Sequence, residues 1–296
     1  MSLTRLSKKT GKSKQVISYN IKKLIERGII VKFFPIIDYN LLNYTEFRIL
    51  LRLNNSSDEQ EERIVNFLKK QKNVKKILKV NNYFNLVFEI MENSISRLYE
   101  LLFSLEQHFG KKFIEKDIDV VSKKEFLTYE MFKDKEKKGE KLSIIVYNEE
   151  KGIDLDTKDF RIIEEIEKNS WINYAELSLK TRINPKTIVY RIKRLEKSGI
   201  IKGYSLFIDW RKLGRVHYRV LMDCYVSDKE EFESLIQKIR ENPEVISIKT
   251  VISKYVLEFD IVPKTYNELT EFISGLKSTF QDTLKSTDLL YVEEEI

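Results

Sequence analysis

Six residues whose side chains donate hydrogen bonds, Lys186, Thr187, Tyr190, Arg191, Lys193 and Arg194, fall within one short segment behind Asn184 and Pro185. Ile188, Ile192 and Leu195 recur through it at i, i+4 and i+7, the spacing of a helix that buries a single stripe. Asn184 is the expected N-cap. Pro185 suits the first helical position, where its missing N–H has no helical partner to lose, and Gly199 is the expected left-handed stop. Such a helix presents Lys186, Thr187 and Tyr190 to base edges in a major groove and carries Arg191, Lys193 and Arg194 nearer the phosphates. The chemistry is recognition of a polyanion rather than bond breaking.

An earlier segment repeats the scheme, with Ser13 as cap, Val16, Ile17, Ile21 and Leu24 as buried positions and Gly28 as stop. Lys14, Gln15, Ser18 and Tyr19 are expected at the groove, with Lys22 and Lys23 beside the phosphates. Asn20, where the later segment has Arg191, is the sharpest difference, so the two helices should read different bases. Charge follows the same plan: nine basic residues against one acid lie between Met1 and Phe34, and eight against one between Lys180 and Lys202. The chain as a whole carries only +7. Positive charge recurring at the same place twice marks a surface for a polyanion, here double-stranded DNA.

The elements behind these helices come from an internal duplication. A shift of 171 positions lays Leu6–Leu105 over Leu177–Leu276 without a gap, with identities at Leu6/Leu177, Tyr19/Tyr190, Gly28/Gly199, Asp38/Asp209, Val74/Val245 and Leu98/Leu269. In the later copy, residues 155–166 read as a first helix, 174–181 as a second, and the basic helix as the third, a helix-turn-helix followed by a short wing from Ile200 to Ile208. Each copy then changes period. Residues 216–225, 228–240, 245–252, 255–261, 266–280 and 289–292 read as βαββαβ, as do 47–53, 58–70, 74–80, 84–90, 95–109 and 118–121. The fold class is therefore α+β, with four small modules in two copies. Residues 122–151, with the charged run Lys133 to Lys141, read as a solvated linker holding one further strand from Leu142 to Tyr147.

Composition excludes several classes. No apolar stretch approaches the roughly 20 residues of a membrane helix, and the Lys-rich start has no signal-peptide core, so a cytoplasmic protein is expected. A single cysteine, Cys224, sits in an apolar run and forms no internal disulfide. His108 and His217 have no Cys or His at ligand spacing, and no glycine-rich phosphate loop or nucleophile elbow is present. No metal, cofactor or catalytic constellation is expected, and the chain reads as no enzyme.

The later copy closely resembles the Lrp/AsnC, or feast/famine, family of transcription regulators. Leu155, Asp156, Asp159, Ile162, Ile163, Ile166, Glu176, Leu177, Arg191, Ile192, Arg194, Leu195, Glu196, Gly199, Ile200, Ile201, Gly203, Tyr204, Asp209, Leu213 and Gly214 carry the likeness in order. The earlier copy resembles the family more weakly. The resemblance implies winged helix-turn-helix heads at 1–44 and 152–214 and ferredoxin-like sensor modules at 45–121 and 215–296, paired as an intramolecular pseudo-dimer able to associate further. It also implies an amino acid or other small metabolite as effector. Where the family's effector loop holds a Gly and then an Asp, this sequence has Asn82 and Asn85 in one copy and Ser253 and Val256 in the other. The counterpart of the first helix falls before residue 1 in the earlier copy. Two alternatives stay open: a sensor that does not bind DNA, and an enzyme similar to the siroheme decarboxylases, which join two such units. The stretch resembling the His-containing active region of those enzymes, Lys79 to Leu86, contains no His.

Overall fold

The computed structural model describes residues 3–54, 57–132, 142–147 and 152–296, so the charged run from Lys133 to Lys141 lies outside the described residues. In chain order the elements are α1 (Leu3–Thr10), α2 (Lys14–Glu26), β1 (Ile30–Ile37), β2 (Thr45–Leu53), α3 (Asp58–Lys69), β3 (Val74–Asn81), β4 (Leu86–Glu92), α4 (Ile95–Phe109), β5 (Phe113–Leu127), β6 (Ser143–Tyr147), α5 (Thr157–Lys168), α6 (Tyr174–Thr181), α7 (Pro185–Lys197), β7 (Ile201–Ile208), β8 (Tyr218–Cys224), α8 (Lys229–Glu241), β9 (Val245–Ile252), β10 (Leu257–Ile261), α9 (Tyr266–Thr279) and β11 (Leu284–Glu295). They gather into two compact units, each of which brings together one pair of the four expected modules. One holds Met1–Leu42 with Lys151–Gly214, the other Asn43–Glu150 with Arg215–Ile296, so each draws on both copies.

In the head unit the wing is shared between the two copies. β1 pairs antiparallel with β7 of the other copy, with Phe33 opposite Leu206, Phe34 opposite Ser205 and Pro35 opposite Tyr204. Phe34 and Ser205 are 171 positions apart, so a pseudo-two-fold axis passes between them, the isologous pattern of a dimer interface. A lone strand cannot satisfy its backbone groups, and each copy supplies the other's partner. The Phe33 and Trp171 rings stack at 4.8 Å, Ser170 N–H donates to the Phe33 carbonyl at 2.8 Å, and the Tyr39 hydroxyl donates to Glu167 Oε1.

The second unit is a barrel-like ring of eight strands in the order β2, β4, β3, β11, β8, β10, β9, β5, closed by pairing of β5 with β2. Each copy contributes four strands in the ferredoxin-like order. The seams join the last strand of one copy to the second strand of the other, Tyr291 opposite Asn81 and Val120 opposite Ile252. These two pairs exchange under the 171-residue shift, so the duplication holds beyond Leu105 and Leu276. β5 and β11 run well past their expected bounds because their later halves form these seams; Ser122 to Leu127 is strand, not linker. β6 pairs with this extension, with Glu125 opposite Ile145.

Side chains alternate across each strand. Phe47, Ile49 and Leu51 pack outward with Ile64 and Leu68 of α3 and Leu98 and Leu105 of α4; Val220, Met222 and Phe259 do so with Ile236 of α8 and Ile273 of α9. Burial of each such side chain stabilises the fold by about 1.5–3 kcal/mol. The alternate residues Leu50, Leu78, Val87, Leu221 and Leu290, drawn from both copies, form a separate apolar cluster. Cys224 is buried, and burial pushes its thiol up to about 12, as fits the expected core thiol. Among the described residues no helix is long and apolar enough to cross a membrane.

Candidate nucleic-acid interface

The third helix of the later head, α7, forms where its local signals place it. Asn184 Oδ1 accepts from Lys186 N–H at 2.9 Å, Pro185 opens the helix, and Gly199 follows it with φ of +81°. Ile188, Ile192 and Leu195 are buried. Lys186, Tyr190 and Lys193 are exposed, Tyr190 at 67%, and Thr187 is half-buried beside them. The outer face is therefore the expected mixture of cations, a hydroxyl and an aromatic ring.

Arg191 and Arg194 stand elsewhere than expected. Arg191 Nη1 lies 2.6 Å from Asp156 Oδ1 and 3.0 Å from Asp159 Oδ1, and Arg194 pairs with the other oxygen of Asp159. Asp156 caps α5, and Asp159 completes a capping box while being fully buried. The two arginines thus clamp α7 to the start of α5. The hydrogen bond from Arg191, helped by the Asp159 and Lys158 backbone N–H groups, holds the Asp156 carboxyl down at about 2. In this structure both guanidiniums hold α7 against α5.

The earlier head presents Lys14, Gln15, Tyr19, Lys22 and Lys23 outward on α2, with Tyr19 65% exposed, Ser18 half-buried and Ile17 buried. Ser13 Oγ accepts from Val16 N–H at 3.3 Å. Val16, expected inside, is 45% exposed; it stands 171 positions before Thr187 and shares that outward place. Asn20 stands at the place of Arg191 and is exposed on α2. The other copy supports this helix: Lys212 Nζ donates to the Arg27 carbonyl at 3.1 Å, just where Gly28 turns with φ of +64°.

A second set of polar residues escaped the sequence reading. Inside the strand unit Arg48, Arg219, Lys249, Glu89, Glu258 and Asp260 are almost fully buried. Arg219 holds Asp260 through two contacts, Nε at 2.9 Å and Nη2 at 3.0 Å, and reaches Glu89 of the other copy at 3.3 Å. Arg48 binds Asp119 within its own copy and Glu258 of the other. Lys249 Nζ lies 2.5 Å from Glu89 Oε1 and 3.1 Å from Glu258 Oε1. Burial pushes the Glu258 carboxyl up, and Arg219, Arg48 and Lys249 outweigh it, leaving it at about 2. His217 Nε2 lies 3.2 Å from Asp260 Oδ1. The available signal was Arg48 and Arg219 themselves, identical across the repeat in the middle of otherwise apolar strands.

The effector-loop positions separate. Asn82 lines an open cleft of about 490 Å³ with Tyr218, Tyr266, Thr287, Asp288 and Tyr291. Its φ is +141°, a region that favours glycine, and its Nδ2 donates to the Leu289 carbonyl at 2.7 Å. Asn85 turns inward to accept from Leu53 N–H at 2.7 Å, Ser253 Oγ accepts from Tyr255 N–H, and Val256 packs on the core of its own module. Among the described residues no group of three or more His, Cys, Asp or Glu is placed to hold a metal ion.

Residues 155–202 match the family model for winged helix-turn-helix DNA-binding. Regulatory protein AsnC of Haemophilus influenzae is 29% identical over 140 residues, covering 46% of this chain and 89% of that protein. An uncharacterised HTH-type transcriptional regulator of Pyrococcus furiosus is 34% identical over 133 residues, covering 45% of this chain and 84% of its own. The chain belongs to the Lrp/AsnC family. It joins two units of that family, and as a whole its fold is similar to that of the siroheme decarboxylase NirDL, with a TM-score of 0.63 across 99% of this chain and 85% of the other at 16% identity. That likeness concerns the fold. The Lrp/AsnC relatives align with a little under half of the chain, as a single unit should.

Proposed function

We propose that this Lrp/AsnC chain is a sequence-specific transcription regulator that binds double-stranded DNA with its head unit, one chain acting as a pseudo-dimer. The observation that carries the reading is the pair of outward basic helix faces, Lys186, Tyr190 and Lys193 on α7 and Lys14, Gln15, Tyr19 and Lys22 on α2, held about one pseudo-two-fold by the shared wing. Because the outer residues differ, the two heads read unequal half-sites. A small metabolite, an amino acid among the candidates, modulates binding at the cleft beside Asn82. The reading is of a regulator and not of an enzyme: the support for decarboxylase chemistry is likeness of fold, and Lys79 to Leu86 offers no His.

Selection of bound fragments from genomic DNA, followed by footprinting, tests this. Two protected half-sites of different sequence are expected, with affinity falling as salt rises by a log–log slope of about 0.9 per phosphate contact. Perfectly matched half-sites would remove the unequal reading. Binding unaffected by salt, or unaffected by exchange of Lys186 and Lys193 for Glu, would remove the proposed surface, and no binding to any duplex would leave a sensor without DNA binding. A tetrapyrrole absorption spectrum from the purified protein would favour the enzyme.

A further inference from the structure

Arg182 closes α6 in the left-handed region, with φ of +57° and ψ of +37°. Side chains bearing a Cβ avoid that region, where Gly is free. The earlier copy has Gly at the same place: Gly11, 171 positions before Arg182, turns with φ of +67°. A Cβ built on Gly11 meets nothing within 4 Å, so the conformation, not space, accounts for glycine there. The later copy keeps the same turn and accepts an arginine in it. Ile183, next in the chain, is buried, whereas Arg182 is exposed at the turn just before Asn184 caps α7.

The other two arginines of this region and Lys180 are already engaged with carboxylates. Arg191 and Arg194 sit on Asp156 and Asp159, and Lys180 lies 3.2 Å from Glu176. Among the described residues no acceptor holds the Arg182 guanidinium. A strained backbone bearing an unneutralised, planar donor at the mouth of a reading helix has one economical use.

We infer that Arg182 is a phosphate-gripping residue: its guanidinium binds a backbone phosphate flanking the half-site read by α7, and the turn gives up conformational ease for that contact. This rests on the DNA-binding reading above and gives the later head an anchor that the earlier head lacks. The test uses the full chain, its Arg182→Gly and Arg182→Lys variants, and a fluorescent mixed-sequence duplex titrated over a range of salt. Arg182→Gly is expected to keep or raise Tm while losing about one unit of log–log salt slope, with affinity several-fold lower across all sequences. Arg182→Lys is expected to keep the slope. An Arg182→Gly protein with the parent's slope and affinity overturns the inference and leaves the DNA-binding reading standing. A lowered Tm overturns the argument from the turn, and Arg182→Asn, which also tolerates this conformation, shows whether affinity then fell through folding alone. A parent chain whose binding ignores salt removes both.

Discussion

The buried charges of the strand unit invite a double-mutant cycle whose template lies within the molecule. Lys249 and Glu258 face each other across β9 and β10, and the corresponding positions across β3 and β4 are Leu78 and Val87. Converting Lys249→Leu and Glu258→Val, singly and together, therefore installs a pairing the fold already uses. Lys249→Leu alone strips a cation from Glu89 and Glu258, both nearly fully buried, and should cost about 3–5 kcal/mol at pH 7. The scale agrees with Glu258: a carboxyl held near 2 rather than its usual value near 4.5 represents about 3 kcal/mol, shared among Arg219, Arg48 and Lys249. The double variant should cost less than the summed singles by about 1–3 kcal/mol, because neither residue is left alone. The folded carboxyl lies below its unfolded value, so its contribution is full above about pH 5 and is lost as pH falls towards 2. In Lys249→Leu that carboxyl rises and takes up a proton readily, so the penalty should be smaller at pH 5 than at pH 7. Urea unfolding followed by far-UV circular dichroism measures all of this. Trp171 and Trp210, the chain's two tryptophans, belong to the head unit, so their fluorescence reports that unit separately. Strict additivity in the cycle, or a Lys249→Leu penalty independent of pH, would refute the reasoning.

Three further outcomes follow from the same geometry. The Asp156 carboxyl should titrate near 2 by NMR and return towards the ordinary value in Arg191→Gln, with the link between α5 and α7 fully made above about pH 4 and lost as pH falls to 2. Gly199→Ala should lower the head unit's stability by about 1–2 kcal/mol by thermal melting, because φ is +81° while the nearest neighbour, Leu41, stands at an ordinary 3.9 Å; an unchanged melt would show that the turn relaxes freely. Cys224, buried with its thiol at about 12, should resist a thiol reagent at pH 8 until denaturant is added, and rapid labelling of the native chain would contradict its place in the core.

Periodicity disclosed the elements, since burying one stripe or one face leaves a trace every 3.6 or every 2 residues. Ile188, Ile192 and Leu195 announced α7, and the gapless shift announced that the earlier copy matched it. Pairing was less legible. An apolar alternation such as Ile30 to Ile37 says that a strand has a buried face without saying which strand lies beside it, so the shared wing and the seams at Asn81 and Val120 came only from the structure. Arg191 shows a related limit. An arginine on a helix face looks the same in sequence whether it meets phosphate or carboxylate, and its acid lies 35 residues earlier. Val16 shows the limit of apolarity itself: a valine on an outer position stays outside when its neighbours set the helix's phase.

At the axis of the wing, Phe34 faces Ser205. In an association of two identical chains a residue on the axis meets a copy of itself, and every substitution there is made twice at once. Joining the two copies in one chain lifts that restriction. Phenylalanine can then be set against serine, and a lysine–glutamate pair introduced in one module while leucine and valine stay in the other. Asymmetry at the symmetry axis thus records that each half has varied alone, in the fixed company of a partner that did not have to change with it.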